Sequence, residues 1–460
     1  MFELNIGKIS GMPDEVYAQF LECKEIYEKH AQANSVKNKF YEGKIPLSEV
    51  NLGIALPESF KNLEMDCGWC GQAVDVLAER SMFDGFVGKN GSPADEISRI
   101  ADRNKLTSEY IKASTDELEF GCVFAAISST DKGASIKWHS PETAAARWNG
   151  ELGRIDCGLV IIDIRKIKDH ENPTLMNFHT DSAIWVLTRI GDTADFEAVE
   201  HTHKMGRIMI EPMIWNPTSR KPLGRSRIKS PLRDIAKGYV RTVCNATIGL
   251  EFATSPQKYL LGVSDEQYES LINQKFKQYV GSLLAATVNP DTNENPQFGQ
   301  LAQGTIAPHV QMLRMLATQF AAKSGLSSND IGVIDEANPQ SSDAIEAQSK
   351  KLVSLAEKLN KTNGEALVTI MLMALAVEKE VSLDDLTDED RAIMPHFKNP
   401  AMPSMSATAD AAMKIASARQ GFAQTDVFLE MIGFSQSDIR RINAQEAKAR
   451  GLQVLTELEE

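Results

Sequence analysis

Two cysteines separated by two residues are the strongest candidate for chemistry in this sequence. Cys67-Gly68-Trp69-Cys70 opens a segment whose apolar residues have helical spacing. A C-x-x-C pair at a helix start can lower the pKa of a thiol and carry out disulfide exchange. However, thioredoxin-like sites follow a buried strand, and the preceding residues 61–64 are polar and compatible with a helix. Trp69 and Cys70 also fall on the apolar face of their own helix, which predicts burial, and no second C-x-x-C completes a structural zinc site.

Other polar residues have spacings that imitate a metal or catalytic site. His201 and His203 would place two imidazoles on one face of a strand, but no acidic or cysteine partner is near them, and a solvated strand end is the simpler interpretation. Asp163 and the adjacent Asp384 and Asp385 have no partner motif. The sequence contains no phosphate-binding loop, dinucleotide fingerprint, nucleophile elbow or zinc-protease motif. We therefore predict a protein that is not an enzyme and has no catalytic residue, metal or cofactor.

Basic residues are concentrated in one stretch. Residues 212–233 contain six lysines and arginines and no acid. Such a stretch can contact phosphate, or it can pair with acids of a neighbouring subunit. Lys229, Arg233, Lys237 and Arg241 fall on nearby faces of one predicted helix, where they would line a channel or an interface, and we favour the interface.

Acidic residues are concentrated in a loop between two predicted helices. The interval 324–349 has no Lys or Arg and contains five acidic side chains. Gly325 is a typical stop signal for the preceding helix, and Ser341 and Ser342 can cap the following one. Apolar residues recur every three or four positions in both helices: Ile306, Val310, Leu313, Leu316 and Phe320 in the first, and Ile345, Leu352, Leu355 and Leu359 in the second.

The composition is that of an ordinary folded protein. The chain has 460 residues, of which 42% are apolar and 24% are charged. Its net charge of −14 argues against a general nucleic-acid binder, although an acidic wall would let DNA slide through a channel without gripping it. No secretory signal is present, and the longest nearly apolar run, 366–377, is shorter than the ~20 residues that span a bilayer. We therefore expect a buried core helix there, and folding in a cytoplasm.

The six cysteines do not suggest a disulfide scaffold in a chain of this length. Cys122 and Cys157 lie in strand-like apolar runs, and we expect both to be small buried hydrophobes.

Apolar periodicity and turn residues predict an α+β protein. The predicted helices are an N-terminal one through Val16, Phe20, Cys23 and Tyr27, and others at 65–80, at Ser140-Pro141-Glu142, at 230–254, at 266–280 and throughout the tail 405–455. The predicted strands are 122–127, 158–164, 184–187, 208–214, 258–261 and 282–288. Residues 380–392 are predicted to form acidic turns, and Pro395, Pro400 and Pro403 to extend a linker.

Three blocks of the sequence resemble bacteriophage portal proteins of the type found in phages with long non-contractile tails. The helix–loop–helix block 320–352 is similar to the tunnel-loop region of that family. Residues 222–228, followed by a long helix and by residues 256–259, are similar to its approach to the stem, and residues 40–80 to its N-terminal opening. Each block is moderately specific alone, and the ordered set covers most of the chain.

The resemblance implies a portal-like fold with a mixed α/β wing, long stem helices, a small α/β clip and a helical crown. The implied regions are a wing at 1–225, stem helices at 226–255 and 305–325, a clip at 256–304, a tunnel loop at 326–341, a long helix and wing return at 342–399, and a crown at 400–460. The tunnel-loop side chains implied to face the DNA are Asn329, Asp330, Asp335, Glu336, Asn338 and Gln340.

The implied function is mechanical. About a dozen subunits would form a ring at one capsid vertex, nucleate prohead assembly, and pass double-stranded DNA during packaging and ejection. The implied partners are further copies of the chain, the terminase large subunit, the major capsid and scaffolding proteins, and a head–tail connector or adaptor, with no membrane. The implied location is the virion, and the host cytoplasm during assembly.

Two alternatives remain open. One is a thiol–disulfide oxidoreductase that uses Cys67 and Cys70, a pair that the role of a portal does not require. The other is a different self-assembling virion structural protein without a DNA channel. The linker at 380–403 is not distinctive of the family, which leaves the C-terminal boundaries open.

Overall fold

The computed structural model describes most of the chain in detail. The described residues are 4–45, 65–88, 95–167, 170–254, 258–262, 264, 269, 288, 295, 297–300, 305–327, 329–332, 342–401, 405–419 and 421–459. They divide into two compact units. The first consists of Met1–Gly43, Gly68–Arg233 and Ala322–Glu460, and the second of Lys44–Cys67 and Asp234–Ala321.

The helices follow the apolar periodicity of the sequence closely. They are α1 (Asp14–Tyr41), α2 (Trp69–Arg80), α3 (Asp95–Arg103), α4 (Leu106–Phe120), α5 (Ser230–Thr254), α6 (Ala307–Ser324), α7 (Ser342–Lys379), α8 (Met405–Ala418), α9 (Asp426–Ile432) and α10 (Gln436–Glu459). Short 3₁₀ turns lie at Asn329–Ile331 and Phe422–Gln424.

The strands form separate, mostly antiparallel sheets, which confirms the α+β class. They are β1 (Ile9–Ser10), β2 (Lys44–Ile45), β3 (Met65–Asp66), β4 (Phe83–Gly88), β5 (Cys122–Thr130), β6 (Gly133–His139), β7 (Ala144–Asn149), β8 (Arg154–Ile167), β9 (His170–His179), β10 (Ala183–Arg189), β11 (Phe196–Thr202), β12 (Ile210–Ile214), β13 (Lys258–Leu261), β14 (Gln297–Gln300) and β15 (Ile393–Phe397).

A six-stranded sheet in the order β1-β11-β10-β9-β8-β7 packs against α1 in the first unit. The buried face of α1 presents Phe20, Cys23 and Tyr27, the residues whose helical spacing the sequence displays. Phe20 meets Phe178 of β9 edge to face, with 5.6 Å between ring centroids. Cys157 is fully buried in the same core, as predicted.

A three-stranded sheet in the order β12-β5-β6 packs against the second half of α7. The apolar run 366–377 lies in that half, and its side chains fill a core shared with α3 and α4, so the prediction of a buried core helix is confirmed. Within the residues that can be described, no helix is both long and apolar enough to cross a bilayer.

The second unit contains most of α5 and α6 and two small ribbons. One ribbon pairs β2 with β3, and the other pairs β13 with β14. The strand predicted at 258–261 is thus confirmed. The helix predicted at 266–280 and the strand predicted at 282–288 fall almost entirely outside the described residues.

Three local predictions are wrong. Ser140-Pro141-Glu142 makes a single turn, in which Ala144 N donates to Ser140 O at 3.0 Å, and the chain then enters β7. The small side chains that open β7 fill the core between the two larger sheets, and this packing requires pairing with β8. Helix α2 begins at Trp69 rather than at residue 65, because Met65–Asp66 pairs with β2.

The third wrong prediction is the proline-containing linker. Its residues Ile393–Phe397 form β15, which pairs with β4. Pro395 is tolerated there because each strand of a two-stranded ribbon has one edge that needs no hydrogen-bond partner. Phe397 packs edge to face on Phe83, so tertiary packing overrides the local signal of the proline.

Candidate functional site

The basic stretch after β12 folds back as a tight turn on the end of α4. Trp215 N donates to Gly121 O, and Arg225 N donates to Trp215 O, both at 3.0 Å. Gly224 lies between these contacts at φ +79°, and a Cβ there would collide with the carbonyl oxygens of Gly121 and Trp215. Only glycine accepts both this backbone conformation and such close contact with two carbonyl oxygens. Gly224 therefore fixes the direction in which the basic stretch leaves the sheet.

Ser226 and Arg227, which follow this glycine closely, attach the basic stretch to α4. Arg227 N donates to Leu118 O at 2.8 Å, and the Ser226 hydroxyl donates to the carbonyl of Glu119. The same hydroxyl accepts from Ile228 N at 2.9 Å. The last carbonyls of α4 therefore have partners, and the backbone is aligned for α5, which begins at Ser230.

The guanidinium of Arg227 is buried and held by backbone carbonyls. Its side chain is 6% exposed, Nε donates to Ala73 O in α2, and Nη2 donates to Ser324 O at 2.8 Å. Burial lowers the pKa of Arg227 to about 10. A positive charge at the C-terminal end of α6 is favourable because the last carbonyls of a helix carry partial negative charge. Arg227 thus attaches the base of the predicted tunnel loop to the first unit.

Helix α6 ends where the sequence predicted. Gly325 follows it at φ +80°, and a Cβ there would lie 3.1 Å from Leu355 Cδ1. Lys351 of α7 donates from Nζ to Ala322 O at 3.0 Å. The Arg227 and Lys351 side chains together satisfy carbonyls that the end of the helix would otherwise leave unpaired.

The described start of the loop is a reciprocal cap. Asp330 accepts from Ser327 N at 2.8 Å, and Ser327 Oγ accepts from Asp330 N at 3.2 Å. Asn329 is exposed, and Ile331 is buried. One oxygen of Asp330 is therefore engaged by the backbone. The other predicted channel residues, Asp335, Glu336, Asn338 and Gln340, lie outside the described residues.

The four basic residues predicted to line a channel or an interface have different surroundings. Lys229 is exposed just before α5, and Arg241 is exposed on that helix. Arg233 is half-buried, with its guanidinium carbon 5.8 Å from the centre of the Phe40 ring, and Lys237 is half-buried too. The structure adds Lys358 of α7, which donates to Asn216 Oδ1 at 2.9 Å. No sequence signal connects Lys358 to this turn.

The alternative sites have little support in the described geometry. Cys67 and Cys70 are 2% and 0% exposed, and burial of this kind disfavours a reactive thiolate. His201 is exposed at the end of β11, and both His201 and His203 line a cavity of about 600 Å³. Asp163 accepts from Thr174 Oγ1 at 2.7 Å on the sheet surface. No group of three potential ligands capable of holding a metal ion occurs among the residues that the structure describes.

A buried carboxyl network escaped the sequence analysis. Glu117 of α4 is fully buried and accepts from Asn363 Nδ2 at 2.6 Å, and the same amide donates to Tyr110 Oη at 3.1 Å. Burial raises the pKa of Glu117 to about 8, and burial likewise raises the pKa of Glu119 to about 8. Apolar periodicity could not reveal these residues, because a glutamate is normally assigned to the solvent face of a helix.

Two curated proteins match most of the chain. The portal protein of Mycobacterium phage L5 is 23% identical over 420 residues, which cover 88% of this chain and 84% of that protein. The portal protein of Mycobacterium phage D29 matches with the same identity and coverage. No family model matches the sequence. The resemblance to phage portal proteins that the sequence blocks indicate is therefore confirmed over most of the chain.

Solved structures with partial similarity come from gene transfer agent particles. A chain of "Neck of native GTA particle computed with C12 symmetry" has a TM-score of 0.47 and 12% identity, with 80% of this chain and 89% of that chain covered. A chain of "Neck of empty GTA particle computed with C6 symmetry" has a TM-score of 0.48 and 11% identity, with coverages of 77% and 87%.

Proposed function

We propose that this chain is the portal subunit of a phage, which forms a ring around a DNA channel at one vertex of the capsid. The observation that carries the proposal is the similarity to two phage portal proteins over 420 residues. A match that covers 88% of this chain and 84% of each relative is not limited to one shared module.

The regions of the family can be laid onto this chain. The wing is residues 1–225, and the stem is 226–255 with 305–325. The remaining regions are a clip at 256–304, a tunnel loop at 326–341, a long helix and wing return at 342–399, and a crown at 400–460. Two observations support this assignment: α5 and α6 are long helices at the two stem positions, and the chain leaves α6 through a firmly anchored turn.

In this proposal the acidic tunnel loop faces the DNA. An acidic lining repels phosphate, so it lets the duplex move instead of holding it by ionic contacts. The channel residues would be Asn329, Asp330, Asp335, Glu336, Asn338 and Gln340. The bond from Arg227 to Ser324 would fix the point at which this loop leaves α6.

The partners in this proposal are further copies of the chain, the terminase large subunit, the major capsid and scaffolding proteins, and a head–tail adaptor. ATP hydrolysis belongs to the terminase, which is consistent with the lack of a phosphate-binding loop in this sequence. The ring would nucleate the prohead in the host cytoplasm and remain in the virion. The chain itself has no catalytic role.

Electron microscopy of the purified, concentrated protein tests the proposal. We expect class averages down the particle axis to contain rings of about twelve subunits around a bore wide enough for duplex DNA. Closed particles without a bore would favour a different virion structural protein. Co-expression with the major capsid and scaffolding proteins completes the test, because a portal must be incorporated into proheads even if the isolated chain is a monomer.

A further inference from the structure

Four exposed basic side chains lie on the turn after β12, just before α5 and on α7, all within the first unit. We call Lys221, Arg225, Lys229 and Lys358 the basic patch. The turn that carries three of them is rigid: Lys221 N donates to Thr218 O at 2.8 Å, and Arg225 Nη2 donates to Thr218 Oγ1 at 3.0 Å.

The fourth side chain comes from α7. Lys358 Nζ lies 5.8 Å from the centre of the Trp215 ring, over which it is held by its bond to Asn216. This contact places a second element of the fold beside the turn.

The basic patch has no compensating carboxylate within the described part of the chain. None of its four members takes part in the ion pairs found there. Desolvation lowers the pKa of Lys229, and the positive charges of Arg227, Arg225 and Lys358 lower it further. Holding like charges together without counter-charges costs free energy, and this arrangement is unusual in a chain whose net charge is −14. The patch therefore indicates an anionic partner.

The same chain exposes a rigid acidic turn. We call Asp384, Asp385, Asp388 and Glu389 the acidic turn, and all four are exposed. Leu386 is buried beneath them, and Arg391 donates to Leu383 O at 2.7 Å. As far as the described residues extend, none of these four carboxylates belongs to an ion pair either. Both surfaces lie in the first unit, so one subunit carries two opposite charges that are not neutralised within it.

We propose that the basic patch of one subunit binds the acidic turn of the neighbouring subunit. This inference rests on the proposed function in that it requires a ring. A ring needs a heterologous interface, in which two different surfaces of the same chain meet head to tail. Four cations opposite four anions satisfy this requirement, and one contact neutralises both surfaces. Duplex DNA is the competing ligand for the patch, but it would leave the acidic turn unpaired.

Two charge-reversal variants test the contact directly. The first variant reverses all four charges of the basic patch, with Lys221→Glu, Arg225→Glu, Lys229→Glu and Lys358→Glu. The second variant reverses all four charges of the acidic turn, with Asp384→Lys, Asp385→Lys, Asp388→Lys and Glu389→Lys. Each variant alone presents like charges at every contact, so we expect the concentration needed for half-assembly to rise at least tenfold. An equimolar mixture should assemble as well as the wild type, because the two variants can alternate around an even-numbered ring.

The matched control reverses four exposed lysines elsewhere in the first unit. It carries Lys8→Glu, Lys132→Glu, Lys137→Glu and Lys204→Glu, which change the net charge by the same amount as the first variant and should leave assembly unchanged. Sedimentation velocity at low and high salt measures assembly, and circular dichroism verifies that each variant is folded. The proposal is overturned if the variants assemble like the control, or if mixing the two variants does not restore assembly. Lost DNA binding with unchanged assembly would also overturn it and would identify a nucleic-acid surface.

A second measurement does not require ring closure. Carbodiimide coupling of a concentrated mixture of unlabelled and ¹⁵N-labelled wild-type protein forms amide bonds only between amines and carboxylates in contact. We expect mixed-label peptides that join Lys229 or Lys358 to the acidic turn. Their absence would overturn the inference even if rings form. If the links are present but no bored ring is found with the head proteins, the proposed portal function fails and the contact stands.

Discussion

Arg227 donates a hydrogen bond from Nη2 to the carbonyl of Ser324 at 2.8 Å, between residues 97 positions apart in the sequence. This contact joins the basic turn before α5 to the C-terminal end of α6. Those two helices are the ones that we assign to the stem, and Arg227, with Gly325 and Lys351, holds the point where the loop between α6 and α7 begins.

Replacing Arg227 by Met should destabilise the protein strongly. Methionine fills much of the same space but leaves the carbonyls of Ala73 and Ser324 buried without a charged donor. We expect a loss of about 3 kcal/mol in the free energy of unfolding, measured by urea denaturation. Arg225→Met is the control, since its guanidinium contacts an exposed hydroxyl, and it should change stability by less than about 0.5 kcal/mol. Equal losses in the two variants would show that burial of Arg227 has no energetic consequence.

Gly224→Ala should be more harmful than Gly332→Ala, although both glycines have φ +79°. A Cβ at Gly332 meets nothing within 4 Å, so its substitution costs only backbone strain of about 1 kcal/mol. At Gly224 the Cβ also collides with two backbone carbonyls that cannot move away independently. We expect the loss at Gly224 to be at least twice as large in thermal or urea unfolding. Similar losses of stability in both variants would contradict the predicted collision at Gly224.

Glu117→Gln should make the stability of the protein less dependent on pH between pH 4.5 and pH 8. The pKa of Glu117 is raised by burial from 4.5 to about 8 in the folded state, so folding retains a proton that the unfolded chain releases. Its contribution is complete below pH 4.5 and is lost as the pH rises through 8. Glutamine remains neutral, so the stability of the variant relative to the wild type should increase by at least about 1 kcal/mol between pH 5 and pH 8. Glu109→Gln, a change of a partly exposed residue on the same helix, should produce no such trend.

His179→Leu should make stability less dependent on pH on the acidic side. His179 is fully buried, with neither ring nitrogen in a hydrogen bond. Burial, and then the nearby His203 and His139, lower its pKa from 6.5 to about 3. The unfolded chain therefore takes up a proton below pH 6.5 that the folded chain refuses, and stability falls as the pH drops from 6.5 towards 3.

The expected gain of the His179→Leu variant over the wild type is about 1–2 kcal/mol on going from pH 7 to pH 5, measured by chemical denaturation. His201→Gln changes an exposed imidazole on β11, which lies two strands away in the same sheet, and serves as the control. If both variants follow the wild-type pH profile, His179 is protonated in the folded protein.

The thiols should not react in the native protein. All six cysteines are buried, and none of them is in a disulfide bond. We expect an aromatic disulfide reagent to modify fewer than one thiol per chain rapidly under native conditions, and all six after unfolding in guanidinium chloride. Rapid modification of two thiols that is lost in the Cys67→Ser and Cys70→Ser double variant would restore the thiol–disulfide alternative.

The sequence by itself determined the elements whose signals are local. Helix α5 covers 230–254 as predicted, and α6 ends at the predicted glycine, because apolar periodicity and a residue at positive φ act within a few positions of each other. The ordered blocks of the sequence also indicated the resemblance to portal proteins, which the curated relatives confirm.

Only the tertiary structure decided the features that depend on distant partners. Ala144–Asn149 forms a strand because it pairs with β8, and Pro395 lies in a strand because β15 pairs with β4. Such pairing depends more on packing than on local preference. Glu117 faces inward because Asn363 of α7 donates a hydrogen bond to its carboxyl group there. Lys358 lies close enough to Lys229 to lower the pKa of that lysine, although the two are far apart in the sequence. Local propensity is a matter of tenths of a kcal/mol per residue, whereas burial and long-range pairing are several times larger, so the tertiary contacts prevail where the two disagree.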